Sequence, residues 1–173
     1  MRTRMPICTT NPEEDAELEA FLAGESFKPS DSEDWWVDLV RANREAGCVM
    51  RRVHVVPEQL TDYLRYEITW GYAGHVAAGE DIRLITVGEG QPWPIGVPRS
   101  DFWLFDSGCL FDMHYAEDTT WLGVEPVDDP ARIVAANQAR DAAWHHAIPW
   151  HDYIAARPEL SAFVPAGVMD SAS

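Results

Sequence analysis

Apolar positions recur with two different periods along this chain, and each change of period marks an element. Between Met50 and Ile85 a β-branched run, Val53, Val55 and Val56, gives way to Leu60, Tyr63, Leu64 and Ile68 at helical spacing. Pro57 stands between them, and proline suits the first turn of a helix, where its missing N–H needs no partner. Gly71, Gly74 and Gly79 punctuate the next segment, and Ile82, Leu84 and Ile85 resume an extended apolar run. Strand, crossover helix and strand predict a βαβ unit, with residues 53–56 and 82–85 as parallel neighbours.

The flanking pattern supplies the rest of the fold. Residues 1–10 read as a loose leader, and Asn11-Pro12-Glu13-Glu14 as a capped helix start with Leu18, Phe21 and Leu22 on its apolar stripe. Gly24 stops that helix. A polar connection over 25–34 leads to a second helix from Trp35, with Trp36, Leu39, Val40 and Asn43 on one side and Gly47 closing it. After the βαβ unit comes a turn-rich stretch over 88–100, long enough to be a functional loop. Phe102–Phe105 is all apolar, which predicts a central strand covered on both faces. Turns at Asp106-Ser107-Gly108 and Glu117-Asp118 then predict antiparallel strands over Cys109–Tyr115 and Trp121–Val127. Asp129-Pro130 opens a helix carrying Ile133, Val134, Ala136, Ala143, Trp144 and Ala147, which Pro149 ends. A short helical piece follows from His151, and 161–173 reads as a fraying tail. The expected fold is α/β: a single domain over 11–160, a mixed sheet of about five strands, and helices packed against it.

At 173 residues and 46% hydrophobic content, the chain can bury a core without staples. No apolar run approaches the roughly 20 residues that span a bilayer, so no membrane association is expected. The start, MRTRMPICTT, lacks the apolar core of a signal peptide. Three cysteines, Cys8, Cys48 and Cys109, are odd in number with no CxxC, which points to free thiols in the cytoplasm. Cys48 and Cys109 are expected to be buried rather than nucleophilic.

Charge changes the picture most. There are 29 acidic against 13 basic residues, a formal net of −16, and Lys28 is the one lysine. Such a field keeps a protein soluble and repels phosphate backbones, which excludes direct nucleic-acid binding. It favours a basic partner protein, a cationic ligand or a metal.

Several stretches carry a family resemblance: FLAG at 21–24, RRVHVVPEQLTDYLRYE at 51–67, AGEDIR at 78–83, DFWLFD at 101–106 and AWHHAIPWHDY at 143–153. They resemble the DUF6879 family, small actinobacterial proteins of unknown function, across most of 15–155. Its members are often encoded beside helix-turn-helix regulators, which implies a regulatory partner role. Residues 1–10 depart from the usual family start, so nothing carries over to them. The order of elements is also similar to a phospholipase D-like half domain. That catalytic motif needs a histidine two residues before a lysine, and Lys28 lies upstream of every histidine, so only a non-catalytic kinship is implied.

Candidate chemistry is sparse. No G-x-S-x-G, H-E-x-x-H, P-loop or G-x-G-x-x-G occurs, no catalytic residue is assigned, and no cofactor is expected. Asp112 and His114 share a strand face but lack further ligands, so no metal is assigned. His145 and His146 point about 100° apart on a helix and do not chelate. Ligand- or partner-binding candidates are Tyr63, Arg65, Glu80 and Arg83 around the βαβ unit, where α/β sheets place ligands. His114 joins them, with Trp93 and Trp150, tryptophans flanked by proline. The expectation is a non-catalytic regulatory or interaction protein, the partner of a helix-turn-helix regulator. The alternative is a small-molecule-binding protein or small biosynthetic enzyme with a tryptophan-lined pocket near the 88–100 loop.

Overall fold

A computed structural model describes residues 12–27, 35–117 and 120–169, with the side chains of Pro12 and Glu13 left aside. The leader, Cys8, the Asn11 cap, Lys28, the Asp118 half of a turn and residues 170–173 lie outside the described residues. In chain order the elements are α1 (Pro12–Leu22), α2 (Trp35–Glu45), β1 (Arg51–Pro57) and α3 (Asp62–Tyr66). A π-helical turn (Glu67–Gly71) leads into α4 (Tyr72–Ala78), then β2 (Asp81–Val87), β3 (Phe102–Phe105), β4 (Cys109–Tyr115) and β5 (Trp121–Val127). Then come α5 (Pro130–His146), β6 (Ile148–Pro149), α6 (Trp150–Ala155) and α7 (Pro158–Ser161).

The fold is α/β, but its strands form two three-stranded sheets, ordered β1-β2-β6 and β3-β4-β5, rather than one sheet of about five. The first is mixed and the second antiparallel. The Asp81 N–H donates to the Met50 carbonyl at 3.0 Å, and the Glu58 N–H donates to Val87 at 3.1 Å. Partners that advance together along both strands make β1 and β2 parallel, as the βαβ pattern predicts. Pro57 ends β1 instead of starting a helix. The helix begins at Asp62, where the Thr61 hydroxyl caps it by accepting from the Leu64 N–H at 3.3 Å.

Gly71 and Gly74 lie inside continuous helix, and only Gly79, at φ 116°, is a stop. The segment stays helical because it widens through the π turn, where the Tyr72 N–H reaches back to the Glu67 carbonyl. Gly79→Ala is expected to cost about 2 kcal/mol, because a Cβ is strained at that φ and would sit 2.6 Å from Arg44 Cδ. Thermal unfolding should show a drop of roughly 6 °C for a chain of this size; an unchanged midpoint would contradict it.

The chain divides into two compact units. One takes Val53–Gln59 and Leu84–Ile148, the other Pro12–Arg52, Leu60–Arg83 and the chain from Pro149. In the first, Val53, Val55, Ile85 and Val97 bury against Ala143 and Ala147 of α5. A second cluster joins Phe102 and Leu110 to Ala136 and Ala139. Helix α5 can lie close because alanines line its inner face, and each buried methyl contributes through lost water contact. In the second unit, Phe21 meets Tyr66, Trp70 and Phe163 at ring distances of 5.9, 5.3 and 5.0 Å. Phe163 therefore belongs to the packed structure, although the sequence pattern assigns it to a fraying tail. Its carbonyl accepts from the Trp70 indole at 3.0 Å.

β3 is an edge strand, not a central one. Its apolar composition serves two unlike faces: Phe102 turns into the core, while Phe105 on the opposite face is exposed. Cys48 and Cys109 are both exposed, contrary to the expected burial.

Candidate functional site

Two places gather chemistry, one in each unit. In the second unit, Glu80 follows the Gly79 stop and is 3% exposed at its side chain. Its Oε1 accepts from Arg52 Nε at 2.8 Å, and its Oε2 accepts from Arg52 Nη2 at 3.3 Å and from the Trp36 indole at 2.9 Å. His75 Nδ1 lies 3.6 Å from the same Oε2. The guanidinium also faces the rings of Trp36 and Tyr72, at 5.4 and 5.2 Å. Burial pulls the Arg52 pKa down, but Tyr72, Glu80 and Glu67 outweigh it and leave it raised. A fork-shaped cation bound by a carboxylate and flanked by rings is a strong, directional staple. It ties α2 to the start of β1 and the end of α4. Both Glu80 oxygens accept strong donors, so the cluster is suited to holding geometry rather than to moving a proton.

Beside it, acidic side chains of α1 reach the tyrosines of α3. The Tyr63 and Tyr66 hydroxyls donate to Glu14 and Glu17, each at 2.7 Å. Burial, followed by the bond to Glu17 and the charges of Glu17, Glu14 and Glu67, pushes the Tyr66 phenol above its ordinary value.

In the first unit, the register places Trp103 opposite Phe111 and Pro126, Phe105 opposite Cys109, and Met113 opposite Val124. Paired residues share a face. This face lies opposite the one that packs on α5 through Phe102 and Leu110. Trp103 and Phe105 stack at 5.9 Å with an interplanar angle of 14°, and Phe105 meets Phe111 edge-on at 6.0 Å. The hairpin tip beside them carries two non-glycine residues at positive φ, Asp106 at 47° and Ser107 at 60°. Helix α5 braces it: Asn137 Nδ2 donates to the Ser107 carbonyl at 2.9 Å, and Arg140 Nη1 to its hydroxyl at 2.8 Å.

The residues singled out in the sequence do not converge on one spot. Glu80 lies in the staple. Tyr63 binds Glu14, Arg65 lies 3.5 Å from Asp62 and over the Phe163 ring, and Arg83 lies 3.4 Å from Asp81. Trp93 donates to the Val97 carbonyl at 2.6 Å under the Arg99 guanidinium, so the 88–100 loop closes on itself. His114 pairs with Glu125 at 3.1 Å on an exposed surface. Trp150 is 1% exposed in the core, which leaves it no surface for a partner. Asp112 pairs with Arg132. Among the described residues, no three His, Cys, Asp or Glu side chains gather as a metal site. None of those helices is long and apolar enough to cross a membrane.

The sequence pattern assigns no site role to Trp36, Arg52, Tyr72 or His75, which the structure brings to Glu80. One signal was available for Arg52: it alternates with Val53 and Val55, so it shares the strand face opposite those core valines.

The family model for the domain of unknown function DUF6879 matches residues 10–155. The chain belongs to that family. No curated protein and no solved structure matches it. The DUF6879 match spans both units, so the staple, the aromatic sheet face and the braced hairpin all fall within the family domain.

Proposed function

We propose that this DUF6879 protein is a non-catalytic interaction protein of the cytoplasm that binds a basic protein partner, a DNA-binding helix-turn-helix regulator. The observation that carries this reading is the outward apolar face of the β3-β4-β5 sheet, where Phe105, Trp121 and Val124 are each about half exposed. Contiguous exposed apolar surface on a soluble domain marks an interaction site more often than chance exposure does. A net charge of −16 turns that interaction toward a basic protein and away from nucleic acid. The family resemblance, with regulators encoded beside its members, supports the choice of partner. Docking on the DNA-binding face of a regulator would compete with DNA for it, and docking elsewhere would add a second domain to it.

The test is co-expression with the product of the neighbouring regulator gene, followed by purification at increasing salt. A complex that forms in low salt and survives in part at high salt is expected, because apolar contacts outlast screened charge pairs. Separate elution of the two proteins in low salt overturns the reading.

A further inference from the structure

We propose that the outward face of the β3-β4-β5 sheet is a docking surface for one cationic, amphipathic helix of a partner protein. The inference rests on the interaction reading above and names the surface and the chemistry of its occupant.

The apolar centre comes first. Trp103, Phe105 and Phe111 form a continuous aromatic ladder across β3 and β4, and Met113 and Val124 extend it. Exposure is 49% at Phe105, 53% at Trp121 and 49% at Val124, values far above those of the residues turned toward α5. At the register shift between His114 and Tyr115, Leu122 is the extra residue on β5 and is 66% exposed. A bulge of this kind bends an edge strand and re-aims a side chain.

Charge then selects the occupant. Residues 101–129 contain eight acidic residues and no lysine or arginine. Asp112 and Glu125 are tied up with Arg132 and His114 on the α5 side of the sheet. Asp106, Glu117 and Asp128 are exposed just beyond the ends of β3, β4 and β5. An apolar centre with an acidic rim complements apolar side chains flanked by lysine or arginine. A second copy of this chain would bring one acidic rim against another. Anionic lipid and nucleic acid are repelled for the same reason.

Size selects a helix. Three strands about 4.8 Å apart make a strip about 10 Å wide, and seven residues of strand run about 23 Å. One helix with its side chains is about 10 Å across, and about 15 residues of it cover that length. The hairpin tip beside the face is held in place. Two left-handed residues are costly, and such strain persists where the surroundings over-determine it. Here Asn137 and Arg140 hold the tip, which anchors the end of the strand carrying Phe105.

The probe is a synthetic 15-residue helix with leucines on one face and lysines flanking them, titrated calorimetrically into the full chain. One-to-one binding is expected. Phe105→Ser and, on a different strand, Val124→Ser should each weaken it at least tenfold, with circular dichroism showing both variants folded. Glu19→Gln, an exposed acid on α1, should leave it within twofold. A scrambled peptide of equal charge should bind at least tenfold more weakly than the amphipathic one. Equal binding by wild type and both face variants overturns the proposal, as does a wild-type dimer in sedimentation that Phe105→Ser dissolves, since the occupant is then a second copy. The regulator reading fails separately. Co-purification of the regulator with Phe105→Ser as well as with wild type removes this surface and keeps the partner. Peptide binding at the face without a regulator complex keeps the surface and removes that partner.

Discussion

Replacing Trp150 with alanine is expected to destabilise the protein by about 4 kcal/mol, with urea unfolding as the measurement. The indole is 1% exposed, so nearly the whole side-chain volume becomes a cavity. A polar loss adds to the apolar one. The Trp150 indole donates to the Ile68 carbonyl at 2.7 Å, and Ile68 lies in the π-helical turn, where backbone groups depart from the ordinary ladder. A buried carbonyl left without its donor costs about 1–3 kcal/mol. Trp150→Phe separates the two contributions: it keeps most of the volume, loses the bond, and should cost about 2 kcal/mol. At about 2–4 °C per kcal/mol for this chain length, the alanine variant should melt roughly 12 °C lower. A loss below 1 kcal/mol for Trp150→Ala would show that the indole does not lock the π turn to the start of α6.

That result would also mark the boundary of what the sequence reveals. Trp150 follows Pro149, a setting typical of a loop, and its local pattern is the same whether the ring faces a partner or the core. Short-range signals were readable because their physics is local. The change of period at Val53–Leu60–Ile82 identified the parallel pair, and Gly24 and Gly47 marked helix ends at φ 73° and 80°. Signals that depend on long-range pairing were hidden. Arg52 and Glu80 are 28 residues apart, and nothing in the spacing joins them. Composition is ambiguous at β3, because an all-apolar strand arises either from burial on both faces or from one core face and one exposed face. Gly71 and Gly74 misled in the opposite sense. Glycine interrupts a helix only where packing does not hold it, and here Gly74 sits on the side facing α2, where a Cβ would lie 3.4 Å from Val37.

Glu80→Ala is the second large effect expected, a loss of about 3 kcal/mol by denaturant unfolding. Removing the carboxylate strands a guanidinium whose side chain is only 17% exposed and takes away the oxygen that accepts from the Trp36 indole. A fully buried pair would lose about 3–5 kcal/mol, and the partial exposure of Arg52 places this one at the lower end. The Glu67 charge stays near Arg52 and offsets part of the loss. Glu80→Gln keeps the size and an acceptor for Trp36 while removing the charge, so about 1–2 kcal/mol is expected. The decisive variant is the double one. Arg52→Met takes away the stranded charge and leaves an apolar chain between Trp36 and Tyr72, so Glu80→Ala should cost much less in that background. A coupling of about 2 kcal/mol between the two positions is expected from a double-mutant cycle. If Glu80→Ala costs as much in the Arg52→Met background as beside the native arginine, the staple is not an electrostatic unit. The loss would then belong to the Trp36 contact alone, which Trp36→Phe measures directly.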